Sequence, residues 1–135
     1  MIYVSRTEHF NAAHKLNNPN WSQAKNQEVF GPCANANWHG HNYELDITVE
    51  GEIEPSSGYV LDLKRLRDIV EETVLLDVDH RNLNLDVPWL TGIIPSTENL
   101  VVALWNKLAP VVPEGRLVRL VLWETPRNYV EYTGE

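Results

Sequence analysis

The chain has 135 residues, of which 43% are hydrophobic and 22% are charged, and its formal net charge is −8. A chain of this length and composition is typical of one ordinary globular domain, so we assign residues 1–135 to a single domain. The acidic charge argues against nucleic acid as a partner, and no apolar run approaches the roughly 18 residues of a membrane helix. Residues 1–6 do not resemble a signal peptide, and the single cysteine predicts a reducing, cytoplasmic location.

Two strands separated by a long loop are predicted in the N-terminal half. Apolar residues recur at alternate positions over the first 14 residues, which predicts a long strand that is imperfect or bulged. Residues 15–37 are rich in Asn, Gln, Ser and Pro and predict a long loop, which usually has a function in a compact domain. Strict alternation over residues 42–50 predicts a second strand, and its parity turns His39 and His41 toward the interior.

Two helices and two further strands are predicted in the C-terminal half. Asp62 can cap a helix that runs to about Leu76, and a second helix is predicted to begin near Ser96. Residues 117–125 and 129–132 predict the last strands. This order predicts an α+β fold with a four-stranded antiparallel sheet and both helices on one face. The exposed edges of such a sheet favour pairing between subunits.

Three histidines give the strongest functional signal. His39 and His41 lie two apart on an extended segment and project to the same face, and the glycine between them lets the backbone approach closely. His14 ends the first predicted strand. Three imidazoles with one open position are the donor set of catalytic zinc, although histidines alone also admit iron or copper. The alternative is a purely structural role for these histidines.

Cys33 lies on the predicted loop six residues before His39, and three interpretations of it stay open. It is a small buried hydrophobe, a fourth ligand that closes a structural metal site, or a nucleophile or base whose pKa a nearby cation lowers. Its position on a polar loop beside the proposed metal favours the last two.

Two carboxylates stand near groups with which they could act. Asp79 precedes His80, and a carboxylate beside an imidazole can fix its tautomer for proton transfer, although the dipeptide alone favours a polar helix end. Glu124 shares its parity with the apolar residues of the third predicted strand. It accepts two parallel N–H donors of a ligand, or it lies past the buried part of the strand, or it meets an arginine such as Arg127.

Seven short motifs follow one another along nearly the whole chain. They are Phe10-Asn11-Ala12-Ala13-His14, Phe30-Gly31-Pro32-Cys33, His39-Gly40-His41-Asn42-Tyr43, Gly51-Glu52-Ile53-Glu54-Pro55, Asp79-His80-Arg81-Asn82-Leu83, Ser96-Thr97-Glu98-Asn99 and Glu124-Thr125. In this order they resemble the 6-pyruvoyl-tetrahydropterin synthase family and its bacterial relatives, the 6-carboxy-tetrahydropterin synthases of queuosine biosynthesis.

The resemblance implies a zinc-dependent lyase that converts 7,8-dihydroneopterin triphosphate to 6-pyruvoyl-tetrahydropterin and eliminates triphosphate, a step of tetrahydrobiopterin-type biosynthesis. The family's zinc ligands match the three histidines. Its general base matches Cys33, and its supporting acid–base pair matches Asp79 and His80. A thiolate near zinc is a chemically reasonable base for carbon-bound protons that a metal acidifies.

The resemblance also implies a pterin pocket and an assembly. Glu124 matches the carboxylate that binds the amino-pyrimidine edge of the pterin, and Thr97 and Glu98 fall in the segment that lines the pocket. The implied fold is the tunnelling fold, in which trimers join their sheets into a barrel. Two trimers stack into a homohexamer whose active sites lie between subunits.

The sequence leaves the product open. The five residues between Cys33 and His39 and the C-terminal Trp123-Glu124-Thr125 favour the pyruvoyl reaction over the 6-carboxy reaction, which releases acetaldehyde and triphosphate. Trp38 stands where the pyruvoyl-forming enzymes usually have a small residue, and its ring could narrow the pocket.

Two further questions concern the charge and the class of protein. In an acidic chain the triphosphate requires local cations, for which Lys15, Lys25 and Arg127 are candidates. A non-catalytic, zinc-stabilised binding module, with Cys33 as a metal ligand, is the alternative from another class of function.

Overall fold

The computed structural model describes residues 1–135 as a five-stranded sheet with helices packed against one face. The strands are β1 (Ile2–His14), β2 (His39–Gly51), β3 (Arg81–Asn82), β4 (Arg116–Trp123) and β5 (Tyr129–Tyr132). The helices are α1 (Gln23–Phe30), α2 (Leu63–Val70), α3 (Leu76–Val78) and α4 (Thr97–Leu108), and a π-helical segment, Glu71–Leu75, joins α2 to α3. None of the helices has the length and apolarity that a bilayer span needs.

The predicted α+β class is confirmed, and the predicted number of strands is wrong by one. The strand order is β3-β1-β2-β4-β5. The extra strand, β3, has two residues and pairs in parallel with Ala12 and Ala13 at the end of β1. A two-residue strand carries no measurable alternation, so periodicity could not reveal it. Along the rest of β1, residues 2–10 pair with β2 alone and leave the other edge of the strand open.

The first two strands pair without interruption over their whole length. Their register sets His14 opposite His39 and Ala12 opposite His41. The irregularity expected in β1 lies instead between β2 and β4, where the register shifts between Thr48 and Val49. This β-bulge turns Leu117, which is 3% exposed, toward the interior, whereas strict alternation with Leu120 and Leu122 would turn Val118 inward.

The segment predicted as a loop, residues 15–37, contains α1 and a 3₁₀ turn, Gly31–Ala34. Ser22 caps α1 by accepting a hydrogen bond from the Lys25 amide, and Gly31 ends it at a φ of 56°. The helix is polar and buries only Asn26, so it lacks the apolar stripe by which amphipathic helices are predicted. It is held by hydrogen bonds rather than by a hydrophobic face.

The two predicted helices are present with different ends. Asp62 caps α2 through the Lys64 amide, and the helical path continues through the π-helical segment to Val78. Ser96 caps α4 through the Asn99 amide. Both helices pack against the inner face of the sheet, which carries the even residues of β1 and the odd residues of β2. The three candidate metal ligands therefore stand where this core meets the loop after β1.

Candidate metal centre and active site

The three predicted metal ligands converge on one point. One ligand atom from each of His14, His39 and His41 lies within 4.8 Å of the others, and their ring centroids are 4.5 to 5.1 Å apart. The strand pairing causes this convergence. His14 and His39 are direct cross-strand partners, and His41 lies two residues further along the same face of β2. The geometry predicted from the i, i+2 spacing is therefore present.

The protonation state of this cluster suits a cation. The Nδ1 of His14, whose residue is 1% exposed, donates a hydrogen bond of 2.8 Å to the Pro95 carbonyl, so its Nε2 carries the lone pair. Burial lowers the pKa of both His14 and His39, and the neighbouring imidazoles lower it further. Neutral imidazoles are the form that binds metal ions.

Buried ring nitrogens in the cluster have no hydrogen-bond partner. They are His14 Nε2, His39 Nδ1 and Nε2, and His41 Nε2. Buried polar atoms without partners are rare and unfavourable in folded proteins, and a bound cation would satisfy one such nitrogen on each of the three rings. The donor set therefore fits one metal ion held by three nitrogens.

Tyr43 forms the floor beneath the cluster. Its ring stacks on Phe10 at 4.8 Å between centroids, and its hydroxyl lies 3.4 Å from His14 Nδ1. Burial raises the pKa of Tyr43, and the negative charges of Glu124 and Cys33 raise it further. The hydroxyl therefore stays protonated, and its neutral state avoids a second negative charge beside Glu124.

Glu124 lies beside the histidine cluster and is oriented by the start of α4. Thr97, which is 7% exposed, donates its hydroxyl hydrogen to Glu124 Oε2 at 2.5 Å. The other carboxylate oxygen lies 3.8 Å from His41 Nε2, which is too long for a hydrogen bond. Of the alternatives left open by the sequence, pairing with Arg127 does not occur, whereas Glu124 does lie one residue past the end of β4. Glu124 keeps acceptor capacity for a ligand.

The three predicted substrate-binding residues line one cleft of about 380 Å³. Thr97, Glu98 and Glu124 form its polar side. Its other walls are Leu16, Val29, Phe30, Ser96, Asn128, Tyr129 and Val130. A half-apolar cleft with a fixed carboxylate suits a flat heteroaromatic ring that has N–H donors along one edge.

Cys33 is half-buried and unpaired, and its sulfur does not belong to the convergent donor set, which consists of the three histidines. Its carbonyl accepts a hydrogen bond of 2.7 Å from the Leu16 amide, which ties the 3₁₀ turn to the residues that follow His14. This backbone contact keeps the turn that carries the thiol close to the end of β1, where His14 lies. This arrangement offers no support for Cys33 as a fourth ligand.

Asp79 and His80 lie at the edge of β1, directly before β3. His80 Nδ1 lies 2.9 Å from Asp79 Oδ1, which accepts a hydrogen bond of 2.9 Å from the Asn11 amide. The His80 amide donates to the Asn11 carbonyl, and the His80 side chain is 76% exposed. The predicted carboxylate–imidazole pair is formed, but within one chain no hydrogen bond joins it to Cys33 or to the cluster.

Two groups that orient the site were not predicted from the sequence. The Pro95 carbonyl fixes the His14 ring, and the Asn84 side chain holds the backbone of Lys15 in two hydrogen bonds. A backbone carbonyl leaves no mark in a sequence. Asn84 lies in a polar turn where asparagine is common, so only the fold shows its contact with β1.

Comparison with known proteins agrees with this geometry. A family model described as 6-pyruvoyl tetrahydropterin synthase matches residues 3–135. The chain is 42% identical over 132 residues to the 6-pyruvoyl tetrahydrobiopterin synthase of Homo sapiens, covering 98% of this chain and 91% of that protein. It matches the structure of Caenorhabditis elegans 6-pyruvoyl tetrahydropterin synthase with a TM-score of 0.93 and 37% identity, covering 99% and 96% of the two chains.

A relative with a different name is also similar. The chain is 33% identical over 116 residues to the dihydroneopterin monophosphate aldolase of Pyrococcus furiosus, covering 85% of this chain and 82% of that protein. The family model and the relatives named as synthases extend over nearly the whole chain, whereas this match is shorter. The chain belongs to the 6-pyruvoyl tetrahydropterin synthase family.

Proposed function

We propose that this chain is a zinc-dependent lyase that converts 7,8-dihydroneopterin triphosphate to 6-pyruvoyl-tetrahydropterin with elimination of triphosphate. The observation that carries the proposal is the adjacency of the two halves of the site. Three imidazoles, each with a buried ring nitrogen that has no partner, converge beside a carboxylate that Thr97 holds at the edge of a cleft. The pterin substrate is inferred from the relatives that match nearly the whole chain, which are named as pterin synthases.

Glu124 and Thr97 account for recognition of the pterin. An ionised carboxylate accepts two parallel N–H bonds from an amino-pyrimidine edge, in the same way as it accepts the fork of an arginine. Thr97 occupies one lone pair of Oε2 and prevents the carboxylate from rotating. A carboxylate held in one orientation loses little entropy when it binds the ring.

Cys33 and the histidines account for the proton chemistry. Zn²⁺, when bound by the three imidazoles, would act as a Lewis acid toward the side-chain oxygens of the substrate. Cys33, near the cluster but outside its donor set, takes the proton from the adjacent carbon as a thiolate. Asp79 holds His80 Nδ1, which leaves the Nε2 of that ring to transfer a proton.

We also propose a homohexamer of two stacked trimers with active sites between subunits. Two observations support it. The edge of β1 is unpaired over residues 2–10, and Met1 and Tyr3 are 71% and 63% exposed near its start. The Asp79–His80 pair lies at this edge, where a neighbouring subunit's cysteine can reach it. A cytoplasmic location is proposed because the one cysteine is a free thiol.

A second candidate follows from the similarity to the aldolase. That reaction class would cleave the pterin side chain between two carbons instead of eliminating triphosphate. The 33% identity over 85% of the chain favours this alternative enough to require a test. The 6-carboxy reaction is the third possible outcome on the same site.

Product analysis distinguishes the pyruvoyl, aldolase and 6-carboxy reactions. Purified protein, stripped of metal and then reloaded with Zn²⁺, is incubated with 7,8-dihydroneopterin triphosphate, and the products are separated by mass spectrometry. The proposal predicts 6-pyruvoyl-tetrahydropterin and free inorganic triphosphate. Acetaldehyde with a carboxypterin would establish the 6-carboxy reaction, and a two-carbon aldehyde that retains phosphate would establish the aldolase. Equal turnover by the stripped protein would contradict metal dependence.

A further inference from the structure

Lys15 and Trp38 form a pair immediately beyond the metal ligands. Lys15 follows His14, Trp38 precedes His39, and His14 and His39 are the last cross-strand partners of β1 and β2. The Lys15 ammonium lies over the indole ring of Trp38, 4.5 Å from its centroid. A cation–π pair therefore closes the end of the β1–β2 ribbon next to the candidate metal centre.

The Trp38 backbone is strained. Its φ is 66°, and only Trp38 and His80 adopt a positive φ without being glycine. A bulky side chain in the left-handed region costs free energy, and such residues persist where the surroundings impose them, often at functional sites. The Trp38 amide donates to the Asn35 carbonyl at 3.3 Å, which fixes the turn that sets the ring beneath Lys15.

The backbone of Lys15 is held by hydrogen bonds, whereas its ammonium makes no ion pair. Its amide donates a hydrogen bond to Asn84 Oδ1 at 3.0 Å, and its carbonyl accepts one from Asn84 Nδ2 at 3.0 Å. Its ammonium takes part in none of the ion pairs of the chain. In a chain with a net charge of −8, a half-buried lysine without a carboxylate partner is available to an anion.

The pair stands at one end of a line of functional groups. The register that sets Glu44 opposite Trp123 brings Glu124 to the level of Tyr43, beside His41. Along β2 the order is therefore Glu124, the histidine cluster, and then Trp38 with Lys15. At roughly 3.3 Å per residue, the five steps from Tyr43 to Trp38 span on the order of 16 Å. That is the scale of a pterin with a phosphorylated three-carbon side chain.

We propose that Lys15 binds the phosphate chain of the substrate and that Trp38 is the positioning residue that holds the ammonium beside the metal centre. The inference rests on the proposed function, because it places the ring at Glu124 and the side-chain oxygens at the three histidines. The phosphates then extend past His14 and His39 to Lys15.

The cation–π contact suits this role better than an ion pair would. An indole face attracts an ammonium without accepting a strong hydrogen bond, so the N–H groups stay free to donate to phosphate oxygens. No carboxylate has to be displaced when the substrate binds. The ring also restricts a long flexible side chain and so lowers the entropy lost on binding.

Inorganic tripolyphosphate is the probe that separates this inference from turnover. Its binding is measured by calorimetry on the wild type, K15M, K15R, W38F and W38G, each in metal-free and Zn²⁺-loaded form because the probe also binds Zn²⁺. We expect K15M to weaken binding about tenfold in both forms, the loss of one charged hydrogen bond. K15R should stay within about threefold of the wild type, because it keeps the charge. Unchanged affinity in K15M would overturn the assignment of Lys15.

Variants that keep or remove the aromatic ring test the positioning role of Trp38. W38F keeps an aromatic face and should retain most of the affinity, whereas W38G should lose several-fold. Glycine adopts a φ of 66° without strain, and this relief offsets part of the stability lost with the ring contacts, so W38G should remain folded. Urea denaturation checks that each variant is folded under the binding conditions, so that a loss of affinity is not attributed to unfolding. Equal affinity of W38G and wild type would overturn the positioning role.

Kinetics with the natural substrate complete the test. K15M should raise KM for 7,8-dihydroneopterin triphosphate about tenfold with a smaller change in kcat, because the contact lies away from the reacting carbons. Lys15-dependent binding of tripolyphosphate without turnover of the pterin would overturn the proposed function and leave the anion site standing. Turnover of the pterin with no dependence on Lys15 in either assay would overturn the assignment of Lys15 and leave the proposed function standing.

Discussion

The Nδ1 of His14 donates a buried hydrogen bond of 2.8 Å to the carbonyl of Pro95. Pro95 immediately precedes Ser96, the cap of α4, and the next residue, Thr97, donates to Glu124. One helix start therefore orients a ligand at the metal end of the site and the carboxylate at the pterin end. Because a cap fixes the first turn of a helix, the distance between the two ends is fixed by local structure and not by a flexible loop.

Substitution of His39 by alanine should abolish metal binding without unfolding the chain. His39 lies at the end of β2, and its ring nitrogens have no partner in the protein, so only the ligand interaction is lost. Metal content after dialysis against Zn²⁺, measured by mass spectrometry, should fall from one ion per chain to near zero, with an unchanged circular dichroism spectrum. The exposed His9 provides the matched control, and H9A should bind metal as the wild type does. Full metal content in H39A would contradict the three-nitrogen site.

The metal-free protein should lose stability as the pH falls below about 6.5, the ordinary pKa of histidine in an unfolded chain. Burial lowers the pKa of His14 in the folded protein, so between the two values the unfolded state binds more protons. The free energy of unfolding then falls with falling pH, by at most about 1.4 kcal/mol per pH unit for one such histidine. Urea denaturation of chelator-treated protein from pH 7.5 to 5.5 measures the slope. It should shrink in H14Q and persist in H9Q; identical slopes in all three would contradict the assignment to His14.

Removal of the Thr97 hydroxyl should weaken pterin binding through Glu124. T97V keeps the shape of the side chain but leaves Glu124 Oε2 without its 2.5 Å donor. We expect about a tenfold loss of affinity for a pterin, from the lost orientation and the buried unpaired acceptor. T97S keeps the hydroxyl and should bind nearly as the wild type does. E124Q should lose more than T97V while it retains the metal, and unchanged pterin affinity in E124Q would refute the anchoring role.

Substitution of Cys33 by alanine should abolish turnover and spare both metal and fold. The convergent donor atoms come from the three histidines and exclude the sulfur, so metal content should stay at one ion per chain. Loss of the base should lower kcat by roughly 10²–10⁴-fold. Metal loss or unfolding in C33A would instead support the binding module in which the thiol is a ligand.

Much of the fold and the metal site could be predicted because each rests on a short-range pattern. The i, i+2 spacing of His39 and His41 determines which face they share, and the alternation of β2 determines that this face is buried. The parity of Glu124 with Leu120 and Leu122 indicated a carboxylate at the end of an apolar row, and both leucines are fully buried. Residues two apart on a regular strand share a face whichever register the strand adopts, so these relationships can be predicted from local sequence.

The features that were missed depend on contacts between distant segments. β3 is extended only because two residues lie against Ala12 and Ala13, and α1 forms without an apolar stripe. The bulge opposite Thr48 shifts the inward residue of β4 by one, which alternation cannot reveal. The contact of Asp79–His80 with Asn11 likewise depends on tertiary structure. Sequence order alone gave no reason to set the pair at the edge of β1.

Asn26 should be the residue that keeps the loop before β2 in place. It is 3% exposed, its Oδ1 accepts from the Asn18 amide at 2.8 Å, and its Nδ2 donates to the carbonyls of Asn18 and Ser22. The loop has no hydrophobic face to replace these bonds, so N26A should loosen α1 and the 3₁₀ turn that carries Cys33, by about 1–3 kcal/mol for the unpaired groups. The Cys33 thiol should then react faster with a disulfide reagent, and the amides of α1 should exchange faster with deuterium. Asn20, which is exposed and makes no side-chain hydrogen bond, is the control, and N20A should react as the wild type does. If N26A leaves both rates unchanged, the loop is held by other contacts, and the position of the thiol beside the metal centre does not depend on this asparagine.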